Sequence, residues 1–261
     1  MKTDSFDHIL IETPEDGIVT LTINRPDKLN ALNSTVLNEL EQAISSFEKS
    51  RDFGVMIITG AGEKAFVAGA DIKELSALDR TRGEKASARG QHICSLIENS
   101  SKPIIAVVNG YALGGGAELA MACHLRYASE KALIGLPEVT LGIIPGYGGT
   151  QRLPLLVDKA NALEMILTGQ PVKAEKAEAI GLVNKVLPAN EVMDQAKKTA
   201  SKILNNGPLA LSKAIQAVNS ATADGNFAKE AALFGQLCDS DDFKEGTSAF
   251  LEKRKAEFRG N

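Results

Sequence analysis

The sequence predicts an α/β fold in which short buried strands and helices stack as ββα turns and a helical tail closes the chain. Three observations predict it. Residues 104–108 are a continuous apolar run rich in β-branched side chains, the pattern of a strand buried on both faces, and residues 55–59 read as another buried strand. Strand, glycine-bearing loop and helix recur at intervals of roughly forty to fifty residues without a sequence repeat, which suits stacked turns. From Glu191 onward, apolar residues fall at helical spacing almost to the end.

Residues 8–12 and 18–24 alternate apolar and polar side chains around Pro14, Glu15, Asp16 and Gly17, so an antiparallel hairpin opens the chain. Arg25 and Pro26 break it. Ser34 is placed to cap a helix whose apolar positions Val36, Leu37, Leu40, Ile44 and Phe47 recur at helical spacing. Residues 60–73 form a second glycine and alanine loop that leads into a short helix. Residues 79–90 are polar and read as a solvated connection or an exposed helix face, with helix resuming at 93–97. Further strands are expected at 125–128, 133–136 and 182–187. Helices follow at 192–204, 208–218, 227–237 and 243–258, with Asn190 as a cap and Pro208 in a first turn. We divide the chain into a core, residues 1–200, and a helical C-terminal region, residues 201–261. The tail carries too few apolar residues per helix for a core of its own, so it is expected to pack against the core or another subunit.

Composition narrows the chemistry. A chain of 261 residues with 44 % apolar and 24 % charged residues is ordinary for a soluble globular protein. Its net charge of −4 argues against nucleic acid as the main partner. Cys94, Cys123 and Cys238 form no C-x-x-C pair, and His8, His92 and His124 are scattered. No H-E-x-x-H or G-x-S-x-G occurs, so neither metal nor serine-triad chemistry is expected. Residues 1–6 have no apolar segment behind them and no run reaches the length of a membrane span, so a cytoplasmic protein with no membrane partner is expected.

The chemistry is expected between Lys102 and Gln151. The strand at 104–108 runs into three glycines, Gly114, Gly115 and Gly116, and then into good helix formers from Ala117 to Ala122. At such a helix start, unpaired N–H groups and the helix dipole favour an anion, and glycine lets a ligand approach the backbone. A dinucleotide-binding turn fails because its third glycine position falls on Leu119, and a phosphate loop fails because neither glycine cluster ends in Gly-Lys-Ser/Thr. An oxyanion site remains, with Glu118 just inside the helix. Taken alone, the loop reads better as close packing with an acidic first turn.

Several segments together resemble the crotonase superfamily, the enoyl-CoA hydratases and isomerases, over nearly the whole chain. They are residues 24–26 with 29–32, residues 65–74, residues 109–118, Pro137 with Glu138, and residues 145–153 around Gly146 and Gly148. Residues 250–258 are similar to the family's closing helix. The resemblance implies a spiral of ββα turns, a C-terminal trimerisation region and assembly as a homotrimer or dimer of trimers. It implies acyl-CoA thioester substrates and no cofactor beyond the coenzyme A of the substrate itself. By position, Ala70 and Gly115 match the two backbone donors of the family's oxyanion hole. Glu118 matches the carboxylate that orients water, and Glu138 the acid that delivers the Cα proton.

By the same resemblance, Lys28, Leu29, Ala68, Asp71, Ile72 and Lys73 fall where the family contacts coenzyme A, and Gly146 lies near the reacting water. Lys255 and Phe258 fall where the closing helix reaches the nucleotide, sometimes from a neighbouring subunit. Asp71 also reads as an N-cap and Lys255 as a solvated lysine. Tyr147 stands at the acyl end of the expected pocket, where its ring either shortens the pocket or turns outward. Both glutamates are present, so hydration of a trans-2-enoyl-CoA is the expected reaction. The alternatives are isomerisation or hydration of a branched enoyl-CoA, and a non-catalytic or RNA-binding relative.

Overall fold

Strands that are apolar at every position need cover on both faces, and the arrangement of this chain supplies it. The computed structural model describes residues 6–15, 17–222 and 224–261. The opening segment read above as lacking a leader, up to residue 5, and the turn residue Asp16 lie outside them.

The first half runs β1 (Ile9–Glu15), β2 (Ile18–Ile23), α1 (Ser34–Lys49), β3 (Val55–Gly60), β4 (Ala65–Val67), α2 (Ile72–Ser76) and α3 (Arg80–Glu98). Next come β5 (Ile104–Val108), β6 (Tyr111–Leu113), α4 (Gly115–Ala122), β7 (Leu125–Ser129) and β8 (Leu133–Gly135). A short 3-10 turn at Glu138–Leu141 leads to α5 (Gly149–Val157), α6 (Lys159–Thr168), β9 (Val172–Lys173), α7 (Ala174–Ala179) and β10 (Lys185–Leu187). The chain ends in α8 (Val192–Ile203), α9 (Pro208–Asn219), α10 (Phe227–Cys238) and α11 (Asp241–Glu252).

One sheet has the order β1-β2-β3-β5-β7-β10, parallel except for the opening hairpin. Its side chains alternate between two apolar clusters. Val55, Ile57, Ile105 and Val107 pack with Val192, Ala196 and Ala200 of α8. Met56, Ile58, Ile104, Ala106 and Val108 face the main core with α1, α3 and α4. Each fully buried Ile or Val contributes about 1.5–3 kcal/mol, so the two-sided cover is where much of the stability resides.

The second sheet positions the site. It has the order β4-β6-β8-β9, and β4, β6 and β8 are parallel neighbours. Their pairing brings Val67 opposite Ala112 and Leu113 opposite Gly135. The C-terminal ends of three consecutive turns therefore lie side by side, the place where open parallel sheets carry their ligands.

Three local expectations change and a fourth is decided. The strand starts are unevenly spaced, with 49 residues from Val55 to Ile104 but 21 from Ile104 to Leu125, because α3 is a long helix and α4 a short one. Of the two readings of the polar stretch at 79–90, the exposed helix face holds: it belongs to α3, whose first turn is capped by the Asp79 carboxylate. Asn33, not Ser34, caps α1, and the helix after Asn190 has Glu191 at its N-cap with no side-chain cap bond. The closing helix ends at Glu252 because Lys253 takes a left-handed conformation, φ 56°. Beyond it the chain folds back, and the Arg259 and Gly260 N–H groups donate to the buried Asp242 carboxylate at 2.7 and 2.9 Å.

Candidate active site

Glycine is required where three strand ends meet. Gly114 has φ 51° and ψ −125°, and its N–H donates to Gly135 O at 2.9 Å, tying the end of β6 to the end of β8. A Cβ at Gly114 would stand 2.8 Å from Glu138 Oε1 and 3.8 Å from Gly69 Cα. A Cβ at Gly116 would stand 2.0 Å from Val67 O, so α4 can rest on β4 only without a side chain there. Loops from β4, β6 and β8 thus converge on one turn.

Two N–H groups at this junction are left over by the local pairing. Ala70 bridges Leu32 in parallel, but the bridge is made by the Leu32 N–H to Gly69 O and the Asp71 N–H to Leu32 O, both 2.8 Å. The Ala70 N–H takes no part in it. Gly115 is the first residue of α4, where a helical N–H has no acceptor inside the helix. Such donors can polarise a carbonyl held between them.

Two carboxyls flank the same turn. Glu118 lies in the first turn of α4 and is 1 % exposed. Its Oε1 accepts the Tyr147 and Gly149 N–H groups, each at 2.7 Å. Burial pushes its pKa from 4.5 up to about 7. The Gly149 N–H works against that rise, the Glu138 charge adds to it, and the Tyr147 N–H and Arg152 work against it. Glu138 opens the 3-10 turn behind Pro137 and is 9 % exposed. Its Oε2 is buried and finds no hydrogen-bond partner among the described residues. Burial raises the pKa of Glu138 as well, with its own N–H opposing. Because each carboxyl is costly to ionise and Glu118 is penalised further by charge on Glu138, the pair favours holding one proton. The two N–H donors on Glu118 oppose that rise and would stabilise a negative charge there.

The other expected residues fall into two groups. Lys28 and Leu29 end the 3-10 turn at Pro26–Lys28, and Leu29 O accepts the Ala68 N–H at 3.0 Å. Ile72 and Lys73 are exposed in the first turn of α2. Asp71 caps α2 by accepting the Lys73 N–H at 3.1 Å and pairs with Arg25 at 3.2 Å, so its carboxylate is already engaged. These residues border the Ala70 loop. Lys255 and Phe258 stand elsewhere, in the C-terminal segment after α11, where the Phe258 ring is 3.2 Å from a Cβ placed on Gly246 and 3.6 Å from one on Gly207. Within one chain they are not brought to the glutamates.

Three contributors escaped the sequence reading. The N–H groups of Tyr147 and Gly149 hold Glu118, and backbone donors leave no residue-type signal. Asn30, buried with φ 58°, ties the Ala68 loop by donating to Ala61 O at 3.0 Å and Ala65 O at 2.8 Å. Helix α3 reaches the site through Ser87, Gly90 and Gln91, a face whose i, i+3, i+4 spacing was obscured by its charged neighbours. The Tyr147 ring sits between α3 and α4: Cβ atoms placed on Gly90 and Gly115 would lie 2.0 and 3.1 Å from it.

Comparison with known proteins agrees with this geometry. The enoyl-CoA hydratase/isomerase family model matches residues 13–261. The chain is 46 % identical to a short-chain-enoyl-CoA hydratase of Clostridium acetobutylicum, over 93 % of this chain and 94 % of the relative. It is 44 % identical to a crotonyl-CoA hydratase of Syntrophomonas wolfei, over 97 % and 98 %. The solved structure of an enoyl-CoA hydratase from Bacillus anthracis superposes with a TM-score of 0.93 at 36 % identity, covering 97 % of this chain and all of that one. A match across almost the entire length, through every loop that builds the paired carboxyls, means that the chain belongs to the enoyl-CoA hydratase/isomerase family.

Proposed function

We infer that this enoyl-CoA hydratase adds water reversibly, in syn fashion, across the double bond of a trans-2-enoyl-CoA to give the 3-hydroxyacyl-CoA. The observation that carries the reading is the unequal pair of buried carboxyls beside one glycine turn. Glu118 is anchored by two N–H donors, while Glu138 presents an oxygen with no partner among the described residues. Addition of water needs a base at Cβ and an acid at Cα, and the reaction is redox-neutral, so the two carboxyls suffice without metal or redox cofactor. The thioester oxygen accepts from the Ala70 and Gly115 N–H groups, which stabilise the enolate-like charge as it develops, by about 3 kcal/mol for each donor. Ionised Glu118 takes a proton from water as its oxygen attacks Cβ. Glu138 gives its proton to Cα on the same face. The proton taken from water stays on Glu118 and Glu138 is left ionised, which sets the pair for the reverse reaction; proton exchange with solvent restores it for another hydration.

The substrate we assign is a short acyl chain. The Tyr147 ring closes the gap between α3 and α4 next to Gly115, and the two named relatives are short-chain and crotonyl-CoA enzymes. The Lys28–Leu29 turn and the Ala68, Ile72 and Lys73 segment would carry the pantetheine and nucleotide through their backbone. We place the enzyme in the cytoplasm as a homotrimer or dimer of trimers without nucleic-acid or membrane partners. Among the described residues no helix is long and apolar enough to cross a membrane. The direct test follows the loss of enoyl-thioester absorbance with crotonyl-CoA and with a longer trans-2-enoyl-CoA. Rapid loss with crotonyl-CoA is expected. No loss with either, in protein that still binds coenzyme A, would overturn hydration in favour of isomerisation or a branched substrate.

A further inference from the structure

Glu118 is held by a peptide whose other side is held in turn. The N–H of Tyr147 donates to Glu118 Oε1, and the carbonyl of that same peptide unit belongs to Gly146. Gly146 O accepts the Ser87 hydroxyl at 2.6 Å and the Gln91 side-chain amide at 3.1 Å. A carbonyl can only accept, so the Gln91 group facing it is its NH2, which also lies 3.1 Å from Ser87 Oγ. Ser87 and Gln91 are one turn apart on α3, with Gly90 between them admitting the Tyr147 ring. The chain of bonds runs from α3 through one peptide to the carboxylate.

We propose that Ser87, seconded by Gln91, is a positioning residue for the hydration reaction, acting on Glu118 through the Gly146–Tyr147 peptide. This rests on the hydratase reading of the site. A hydroxyl donating to the peptide carbonyl polarises the unit and strengthens its N–H as a donor, since hydrogen bonds in a chain reinforce one another by roughly 10–30 % each. The stronger donor favours ionised Glu118 and fixes the plane of the carboxylate relative to Cβ. The neighbouring bond is fixed independently: the Gly149 N–H reaches the same oxygen, and Arg152 holds Tyr147 O at 3.0 Å. The charged and titratable groups facing Glu118 are Glu138 from the 3-10 turn, Arg152 from α5, Cys94 from α3 and the Tyr147 phenol. None of them is Ser87 or Gln91, so replacing either leaves the local charges in place.

The experiment is a pH–rate profile for hydration of crotonyl-CoA by wild type, Ser87→Ala, Ser87→Thr and Gln91→Ala, with a carbon NMR titration of the Glu118 carboxyl in each. Ser87→Ala is expected to move the acid limb of kcat and the carboxyl titration upward together, by about half a pH unit, with KM unchanged. Ser87→Thr retains the hydroxyl and is expected to restore both, and Gln91→Ala to shift them in the same direction by less. An unmoved acid limb and an unmoved carboxyl titration in Ser87→Ala would overturn the proposal, even with kcat reduced. A wild type that hydrates nothing would overturn the hydratase reading instead, and the NMR titration would still decide whether Ser87 acts on Glu118.

Discussion

Glu118 carries opposite consequences for activity and stability. As the base proposed for water it must be ionised, so kcat/KM for hydration should fall as pH drops through about 7. Its stability contribution runs the other way. A carboxyl whose pKa is raised by folding binds its proton more tightly when folded, so stability is complete below the unfolded value of 4.5 and is lost as pH rises through about 7. At pH above 7 the buried charge costs up to about 3 kcal/mol, the free-energy equivalent of that rise. Glu118→Gln should therefore lower kcat by roughly 10²–10⁴-fold while raising the urea midpoint in mildly alkaline buffer. The stability gain should vanish in buffer more acidic than the unfolded pKa. A variant that loses activity without gaining alkaline stability would mean that the charge is not the costly feature of this position. Glu138→Gln should lower kcat comparably, because the amide offers no acidic proton for Cα.

At the scale of elements, the site is made by what glycines allow two helices to do. Gly116 lets α4 lie on β4, and Gly90 lets α3 accept an aromatic ring from the loop before α5. Glycine inside a helix costs about 1 kcal/mol relative to alanine, which the packing of Tyr147 has to offset. Shortening the ring should open the gap between α3 and α4. Tyr147→Ala is expected to raise the ratio of kcat/KM for a longer enoyl-CoA over crotonyl-CoA by about tenfold or more, on the scale of one or two methylenes in an apolar pocket. An unchanged ratio would place the acyl tail along another path. The strands and glycine turns were legible in the sequence because burial on two faces and left-handed φ each demand particular residue types. The role of α3 was not, since its inner face of Ser87, Gly90 and Gln91 is small and polar among the charges of Arg80, Arg82, Glu84, Lys85 and Arg89. Nor were the N–H groups of Tyr147 and Gly149, which any residue there except proline would provide.

Across the whole molecule, the two glutamates and the glycine turn came from residue identity in order, whereas Lys255 and Phe258 require knowing where the tail goes. The tail leaves the core after α8, ends its last helix at Lys253 and folds back on Asp242. It leaves much apolar surface uncovered: Phe227, Phe234, Phe250 and Leu251 are 66–84 % exposed. A groove of about 630 Å³ between α9, α10 and α11 is lined by Phe234, Phe243, Phe250 and Phe258. A single chain gains nothing from presenting such rings to water, at roughly 25 cal/mol for each Å² left exposed. Ile144, Leu155 and Leu167 are 68–86 % exposed on the opposite part of the sequence, in the loop before α5 and on α5 and α6. The proposed association of copies would cover both sets together. Light scattering should therefore give a mass three or six times the 27.7 kDa of the chain. Phe250→Glu with Leu251→Glu should shift the protein toward monomer and raise KM for the enoyl-CoA more than it lowers kcat, since the two glutamates proposed for the chemistry lie within one chain. A monomeric wild type would refute the assembly, and a dissociated variant with unchanged KM would confine substrate binding to a single subunit.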